Sequence, residues 1–181
     1  MSETLTETYT LRSARLDELP LLTQIELDAF VTFAEALCDT REPHALPQKV
    51  LRQSLEEGLL FVAVDPSDSP IAFLAGAQID GSLYVTELDV SRLWQRKGVG
   101  TRLMLAAKET ARASRLASVT LTTDRSVPFN APFYQSLGFT LLDTETMPSF
   151  LQKKLDEETE NGMDPERRVA MAWWLDASRA A

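Results

Sequence analysis

The sequence predicts a mixed α/β fold, in which one twisted sheet carries helices and a single domain spans residues 8–176 between short tails, 1–7 and 177–181. Between residues 59 and 90, three strand-like runs follow one another across short turns, which is typical of antiparallel hairpins. Residues 98–115 then change to a helical period, and short strands and helices alternate after them. The length of 181 residues suits one domain of roughly 150 residues with little chain left over.

The N-terminal part predicts one strand and two helices. Tyr9–Arg12 alternates apolar and polar residues, which indicates a strand. Asp17 is a suitable N-cap for a helix whose apolar residues recur as far as Phe33. Leu46-Pro47 opens a second helix that ends at Gly58. The segment 33–46 is then the connection between the two helices.

The middle of the chain predicts a meander of three strands. Turn-forming residues 66–69 separate the runs 59–64 and 71–79, which indicates a hairpin. Asp80-Gly81 is the signal for a two-residue type I′ turn, and it joins the second run to Leu83–Val90. The sheet is therefore antiparallel up to this point.

The C-terminal part alternates helices and strands. We assign no helix or strand to the acidic segment 151–166 as a whole. We interpret its most acidic part as the solvated face of a helix. The predicted elements are a helix over 98–115, a strand over 119–122, a short helix over 130–137 closed by Gly138, and strands over 139–142 and 168–175.

The charge balance excludes several classes of partner. The chain has 18 Lys and Arg against 27 Asp and Glu, which is a net charge of -9. Because Lys and Arg supply most of the affinity for phosphate backbones, we expect neither nucleic acid nor a membrane surface as a partner. No apolar run approaches the ~20 residues of a membrane-spanning helix, and the start lacks a secretory signal pattern. We therefore expect a cytoplasmic location.

The scarcity of Cys and His limits the chemistry further. Cys38 is the single cysteine and His44 the single histidine, so an intramolecular disulfide and a His/Cys metal cluster are both excluded. We expect no metal cofactor, and we interpret Cys38 as a small core residue. The sequence also has no Gly-x-Ser-x-Gly elbow that would expose a nucleophilic serine, which argues against a hydrolase.

The segment most informative about chemistry joins a strand end to a helix start through Gln95-Arg-Lys-Gly98-Val-Gly100. Glycines at a helix N-terminus let a ligand approach the backbone, and the first N–H groups of the helix attract an anion. A dinucleotide fingerprint would need glycine at Leu103, and a P-loop would need Gly-Lys-Ser/Thr. Taken alone, the pattern is more often an ordinary turn, so other evidence must accompany it.

That evidence is a resemblance in two places. The segment matches the Gln/Arg-x-x-Gly-x-Gly/Ala loop of the GNAT superfamily of acetyl-CoA-dependent N-acetyltransferases. Asn130-Ala-Pro-Phe-Tyr134-Gln-Ser-Leu-Gly138-Phe139 resembles the family segment Asn-x-x-Ala-x-x-Phe-Tyr-x-x-x-Gly-Phe, although Ala131-Pro132 shortens the spacing. The predicted order of elements is also that of the GNAT fold, and the resemblance extends over about residues 9–175.

The resemblance implies acetyl-CoA as cosubstrate. In this family the loop holds the CoA pyrophosphate through backbone N–H groups, and the preceding strand pairs with the pantetheine arm and separates from the next strand. Arg102 is an additional local cation beside the loop. The implied cofactor-binding residues are Leu88, Asp89, Val90, Gln95, Arg96, Lys97, Gly98, Val99, Gly100, Thr101, Asn130 and Tyr134.

Two residues are candidates for catalysis. Tyr134 resembles the family's tyrosine that protonates the departing thiolate, and the alternative is a tyrosine that only packs against CoA. Glu87 shares a strand face with Asp89. Its carboxylate would accept a proton from the amine or attract it, and the alternative is an ion pair with Arg92 or another cation.

The resemblance implies transfer of an acetyl group to a primary amine, by direct attack in a ternary complex. A small-molecule amine is the expected acceptor, and a protein N-terminus or lysine is an alternative. A module that binds acyl-CoA without turnover is another. Adjacent Trp173 and Trp174 point to opposite faces of a strand, and we expect a homodimer to cover this end of the sheet.

Overall fold

The computed structural model describes residues 8–40 and 42–176, so the two predicted tails lie outside the described residues. Seven strands form one mixed sheet in the order β1-β2-β3-β4-β5-β7-β6, and β4 and β5 are parallel neighbours. The elements are β1 (Thr10–Ser13), α1 (Leu19–Leu37), α2 (Gln48–Glu56), β2 (Leu60–Val64), β3 (Pro70–Ile79), β4 (Ser82–Val90), α3 (Val99–Ala113), β5 (Ser118–Asp124), α4 (Ala131–Ser136), β6 (Thr140–Leu141), α5 (Ser149–Glu160) and β7 (Arg168–Trp174).

The predicted meander and its tight turn are confirmed. β2, β3 and β4 pair antiparallel in succession. Asp80 and Gly81 both have positive φ, 47° and 76°, as a type I′ turn requires. This turn brings β4 back along β3, so that β4 ends, and the loop after it begins, beside the start of β3.

The first helix is longer than predicted. α1 continues through residues 34–37, Ala-Glu-Ala-Leu, which are mostly strong helix formers. The connection to α2 therefore begins at Cys38, which is exposed and left-handed with a φ of 51°. The prediction of Cys38 as a core residue was wrong. Asp17 lies in a short 3-10 turn before the helix and is not the residue that caps it.

The acidic segment contains a helix that the sequence analysis did not assign. α5 has few apolar residues, and its Leu151 is fully buried, while Asp156 and Glu160 are exposed and Glu158 is half-buried. Leu151 packs with Tyr84 of β4 and Ala170 of β7. α5 therefore covers the part of the sheet that α1 and α2 leave open.

The helices lie on two faces of the sheet. Leu19, Leu22 and Leu51 of α1 and α2 pack on Phe73 and Ala75 of β3. On the opposite face, α3 packs on Leu74, Leu83 and Val85 among other residues, and α4 joins the same cluster. Within the described ranges, no helix has the length and apolar character to cross a membrane.

The two adjacent tryptophans are only half-buried. The ring of Trp173 is covered within the chain by Lys108 and Arg112 of α3, whose charged groups lie 4.7 and 4.8 Å from its centroid. Of the two tryptophans, only Trp174 therefore still needs a second copy of the chain to cover its ring. The homodimer stays a prediction.

Candidate active site

β4 and β5 pair for a short distance and then separate. Ser82, Leu83 and Tyr84 are in register with Ser118, Val119 and Thr120, while β4 continues to Val90 and β5 to Asp124. A wedge therefore opens between residues 87–90 of β4 and residues 121–124 of β5. Backbone groups on its β4 side are free of the parallel ladder and can pair with an extended ligand.

A β-bulge determines which side chains of β4 point to each face of the sheet beside the wedge. Val85 is in register with Gly76 and Glu87 with Ala75, so that Thr86 is the extra residue. Strict alternation from Val85 would direct Glu87 toward α3, whereas the bulge turns it to the face of α1. The same shift directs Leu88 and Val90 to the α3 face, where they pack against the core.

Three carboxyl groups meet on the α1 face. Glu26 of α1 faces Glu87 and Asp89, and one carboxyl oxygen from each of the three lies within 4.8 Å of the others. We call these residues the carboxyl cluster. Glu26 is only 7% exposed, and its Oε1 accepts a hydrogen bond of 2.8 Å from the Leu46 N–H. The cluster therefore joins α1, β4 and the α1–α2 connection.

Burial keeps protons on this cluster at higher pH than usual. Burial and then the charge of Glu87 raise the pKa of Glu26 to about 8. Burial also raises the pKa of Glu87 to about 7, against the Leu88 N–H and the charge of Arg168, which lower it. The pKa of Asp89 is raised well above its usual value, first by burial and then by Glu87 and Glu26. A carboxyl group with a pKa near neutrality can exchange protons at physiological pH.

Arg92 and Arg168 do not neutralise Glu87. Arg92 pairs with Asp28 of α1 at 2.8 Å. Arg168 holds both oxygens of Glu158 at 2.8 and 3.0 Å. Within the described ranges, the interpretation of Glu87 as the ion-pair partner of Arg92 is therefore excluded by the geometry.

Tyr134 lies on α4, which packs on the other face. Its ring makes edge contacts with Phe133 and Phe139, at centroid distances of 5.1 and 5.9 Å. Burial, followed by the charges of Glu87 and Asp89, raises the pKa of the phenol. The hydroxyl therefore stays protonated and can act as a proton donor.

The glycine loop, residues 95–101, ends in the N-terminus of α3. Arg96 and Gly98 are left-handed, with φ of 62° and 78°, and this bends the chain sharply into the helix. The first helical hydrogen bond runs from the Arg102 N–H to the Gly98 carbonyl at 3.1 Å. The N–H groups of residues 99–101 precede that bond, so they can receive an anion at the positive end of the helix dipole.

The side chain of Gln95 anchors this loop. Its Nε2 donates to the Val90 carbonyl at 3.0 Å, and its Oε1 accepts from the Thr32 hydroxyl at the same distance. The side chain thus ties the loop to the end of β4 and to α1. The predicted contact of Gln95 with CoA is through its backbone and does not involve this side chain.

The cations in the loop and directly after it have different neighbours. Lys97 lies 5.1 Å from the Trp94 ring, and Arg102 lies 5.1 Å from the Tyr9 ring. Arg96 is exposed and borders a surface depression of about 390 Å³ formed with Pro128, Phe129, Pro132, Phe133 and Ser136. An aromatic wall beside a cation suits a ligand that carries both a ring and a phosphate.

The residues of the glycine loop and of β4 therefore suit the binding of acetyl-CoA. The N–H groups at the start of α3 suit its pyrophosphate, and the open strand edge of β4 suits its amide-containing arm. Asn130 lies at the N-cap of α4 and its carbonyl accepts the Tyr134 N–H at 3.1 Å. This places Asn130 one helical turn from Tyr134.

The acetyltransferase (GNAT) family model matches residues 21–139, more than half of the chain. The chain belongs to the GNAT acetyltransferase family. Its mixed seven-stranded sheet is that of solved GNAT structures, although each is less than a fifth identical in sequence.

Three solved GNAT structures illustrate the shared fold. The ribosomal-protein-S18-alanine N-acetyltransferase from Escherichia coli is 18% identical with a TM-score of 0.67, and the match covers 93% of this chain and 95% of that one. The PaiA N-acetyltransferase from Thermoplasma acidophilum, in complex with coenzyme A, is 14% identical with a TM-score of 0.67 over 92% and 99%. N-Acetylglutamate synthase from Neisseria gonorrhoeae, with coenzyme A and N-acetyl-glutamate, is 15% identical with a TM-score of 0.69, over 93% of this chain and 35% of that one.

Glu26 is the site residue of this GNAT protein that the sequence analysis missed. It lies four residues after Leu22 and three before Ala29, on the buried stripe of α1. A charged residue on an apolar helical stripe is the signal that would have singled it out. Its partners Glu87 and Asp89 were both among the predicted site residues.

Proposed function

We propose that this GNAT protein transfers an acetyl group from acetyl-CoA to a primary amine of a small molecule, by direct attack in a ternary complex. The supporting observation is the wedge between β4 and β5, which has the carboxyl cluster on its α1 side and Tyr134 on α4 at the opposite face. A proton acceptor and a proton donor thus flank the opening where an acyl group would enter.

Acetyl-CoA supplies an acetyl thioester and a thiolate leaving group. In the proposal, the N–H groups of residues 99–101 hold the pyrophosphate, with Arg96 and Lys97 adding local positive charge. The backbone of Leu88, Asp89 and Val90 pairs with the pantetheine arm, and backbone N–H groups stabilise the negative charge that develops on the acetyl oxygen. The depression beside Arg96 receives the adenosine end.

Two side chains move protons. Glu87 accepts a proton from the ammonium form of the acceptor, which makes the nitrogen nucleophilic. Tyr134 donates its phenolic proton to the sulfur of CoA. Holding the amine and the acetyl group together in the wedge supplies the proximity that direct transfer requires.

The acceptor in this proposal is a small amine rather than a peptide. A small amine is favoured because the carboxyl cluster is recessed between α1 and β4, with Glu26 almost fully buried. The Escherichia coli neighbour is a ribosomal-protein-S18-alanine N-acetyltransferase. A peptide acceptor is therefore the alternative that the experiment must include.

The deciding experiment is a thiol-release assay with acetyl-CoA against small primary amines and against peptides with free N-termini or lysine side chains. Turnover with small amines and none with peptides would support the proposal, and the reverse would establish the peptide alternative. Calorimetric binding of CoA without turnover on any amine would establish a non-catalytic acyl-CoA-binding module. Light scattering at micromolar concentration tests the homodimer, which a monomeric mass would contradict.

A further inference from the structure

The carboxyl cluster has a hydrogen-bonding deficit. The side-chain oxygens Oε2 of Glu26 and Oδ2 of Asp89 are buried and have no hydrogen-bond partner among the described residues. Its backbone donors are the N–H of Leu46, which serves Glu26, and that of Leu88, which serves Glu87. Since an ionised carboxylate only accepts hydrogen bonds, three ionised groups here would leave buried acceptors unsatisfied.

Protons held between the carboxyl groups remove this deficit. A protonated carboxyl group is a donor, and carboxyl oxygens of Asp89 and Glu87 lie within 4.8 Å of each other. A proton on Asp89 can be donated to Glu87, and a proton on Glu26 can be donated to a carboxyl oxygen of Asp89, so that the donors and acceptors of the cluster serve one another. Two protons for three carboxyl groups leave the cluster with one negative charge.

The surrounding charged and titratable groups leave this charge in place. Arg168 of β7 faces Glu87 but is bound by Glu158 of α5. Tyr134 of α4 and Tyr84 of β4 are also near; burial raises the pKa of both phenols, and the charge of Glu87 adds to the shift. The single negative charge of the cluster is therefore available to a cationic group that enters the wedge.

We propose that Glu26, Glu87 and Asp89 act as one proton-accepting unit, in which Glu87 touches the acceptor amine while Glu26 and Asp89 are positioning residues that act through Glu87. They hold protons beside it and set the pH at which it becomes a base. This inference rests on the proposed acetyl transfer. It adds two residues whose role neither the family motifs nor the wedge alone assigns.

The proton balance of the reaction agrees with a unit that takes one proton at a time. A primary ammonium loses two protons for each amide formed. One passes to Glu87 before the nitrogen forms its bond to the acetyl carbon, and it is afterwards released to water. As the carbon–sulfur bond breaks, Tyr134 gives its proton to sulfur, and the second nitrogen proton restores the phenol.

The first test measures protonation without requiring turnover. Carbon-13 signals of the three carboxyl groups are followed by NMR between about pH 5 and pH 9 in the full chain with CoA, and are assigned with Glu26→Gln, Glu87→Gln and Asp89→Asn. We expect coupled titrations above about pH 6, and in Glu26→Gln a midpoint for Asp89 lower by about one pH unit, since a like charge is gone. Three independent titrations near about pH 4–4.5 would overturn the inference.

A cation site is the competing explanation of the cluster, and the same sample tests it. If protons rather than a metal ion satisfy the buried carboxyl oxygens, addition of Mn²⁺ at micromolar concentration should leave the three carboxyl carbon signals sharp. Selective broadening of these signals would overturn the inference in favour of a divalent-metal site. Glu109→Gln, an exposed change on α3 with the same loss of charge, is the matched control and should leave the three titrations unchanged.

The second test is kinetic and uses a rescue. Asp89→Ala removes the donor to Glu87 and should move the acid limb of the kcat/KM profile to higher pH by about one unit, whereas Asp89→Asn keeps an N–H donor and should restore it. Because both variants are measured with the same amine, the ionisation of that amine affects both pH profiles equally and cancels in their comparison. Equal profiles for both variants would overturn the inference. Coupled titration without thiol release from any amine would instead contradict the proposed function alone.

Discussion

The Nζ of Lys108 donates a hydrogen bond to the backbone carbonyl of Leu137. Lys108 lies on α3, which begins at the glycine loop, and Leu137 ends α4, which carries Tyr134. The ammonium is also 4.7 Å from the Trp173 ring centroid and 5.1 Å from that of Phe139. One buried cation thus links the proposed anion site to the proposed proton donor.

Replacing this cation should destabilise the protein. Lys108→Met keeps most of the apolar contact but leaves the Leu137 carbonyl without its donor and removes the cation–π contacts. The expected loss is about 2 kcal/mol, or roughly 4–8 °C in Tm for a domain of this size. Lys153→Met, at a side chain that is 78% exposed, is the control and should leave Tm nearly unchanged. Equal Tm values for both variants would show that the contact has no energetic weight.

Gly100 should be required for CoA affinity. A Cβ added there would meet Phe133, Val90 and Leu88 at 3.6, 3.8 and 4.0 Å, which are ordinary contacts. Gly100→Ala should therefore fold and bind. Gly100→Val adds two methyl groups beside the first N–H groups of α3 and should weaken acetyl-CoA binding about tenfold or more. Calorimetric titration decides this, and an unchanged affinity in folded Gly100→Val would refute the anion site.

Tyr134→Phe separates proton donation from packing. The ring contacts with Phe133 and Phe139 persist in this variant, and only the hydroxyl is lost. We expect turnover to fall by ~10² or more while acetyl-CoA binding changes little. Thiol release and calorimetry on the same preparation measure the two quantities. Near-normal turnover would reduce Tyr134 to a packing residue.

The glycine loop was predictable because its signals are local. The change to helical periodicity and the glycines lie within a few residues of one another, so the site of the N–H groups follows from the sequence of residues 95–103. The pairing of Glu87 with Asp89 on one strand face follows from the period of two. These parts need no knowledge of distant contacts.

The rest of the site depends on tertiary packing. No glycine in β4 itself marks the bulge at Thr86, and Gly76, which lies opposite it, belongs to β3. Strict alternation along β4 would place Glu87 on the same face as Leu83 and Val85. Glu26 reaches Glu87 only because α1 crosses the sheet opposite β4, a contact between residues 61 positions apart. The side chain of Gln95 holds the loop through Thr32 of α1 and Val90 of β4, and the contact with Thr32 also depends on tertiary packing.

Glu87→Gln should lower kcat/KM by ~10² at neutral pH and recover part of it at higher pH, where more of the amine is already deprotonated. The amide is close in size to the carboxyl group, so the variant should fold. The pH dependence of thiol release with one small amine measures the effect. If kcat/KM is unchanged while Tm falls, Glu87 is a structural residue.

The stability of the protein should depend on the proton held by Glu26. Its pKa is raised from 4.5 to about 8 in the folded chain, so between these values the folded state binds more protons than the unfolded state. The stabilisation from that proton is complete below about pH 4.5 and is lost as the pH rises through about 8.

Glu26→Gln removes this titration but keeps an oxygen that can accept the Leu46 N–H. The Tm of Glu26→Gln minus that of the unmodified protein should therefore increase between about pH 5.5 and pH 9, by several degrees. Taking the difference cancels the groups outside the carboxyl cluster, which titrate alike in both proteins. Glu109→Gln should show a constant difference over the same range. A constant difference for Glu26→Gln as well would mean that Glu26 is not protonated in the folded protein at neutral pH.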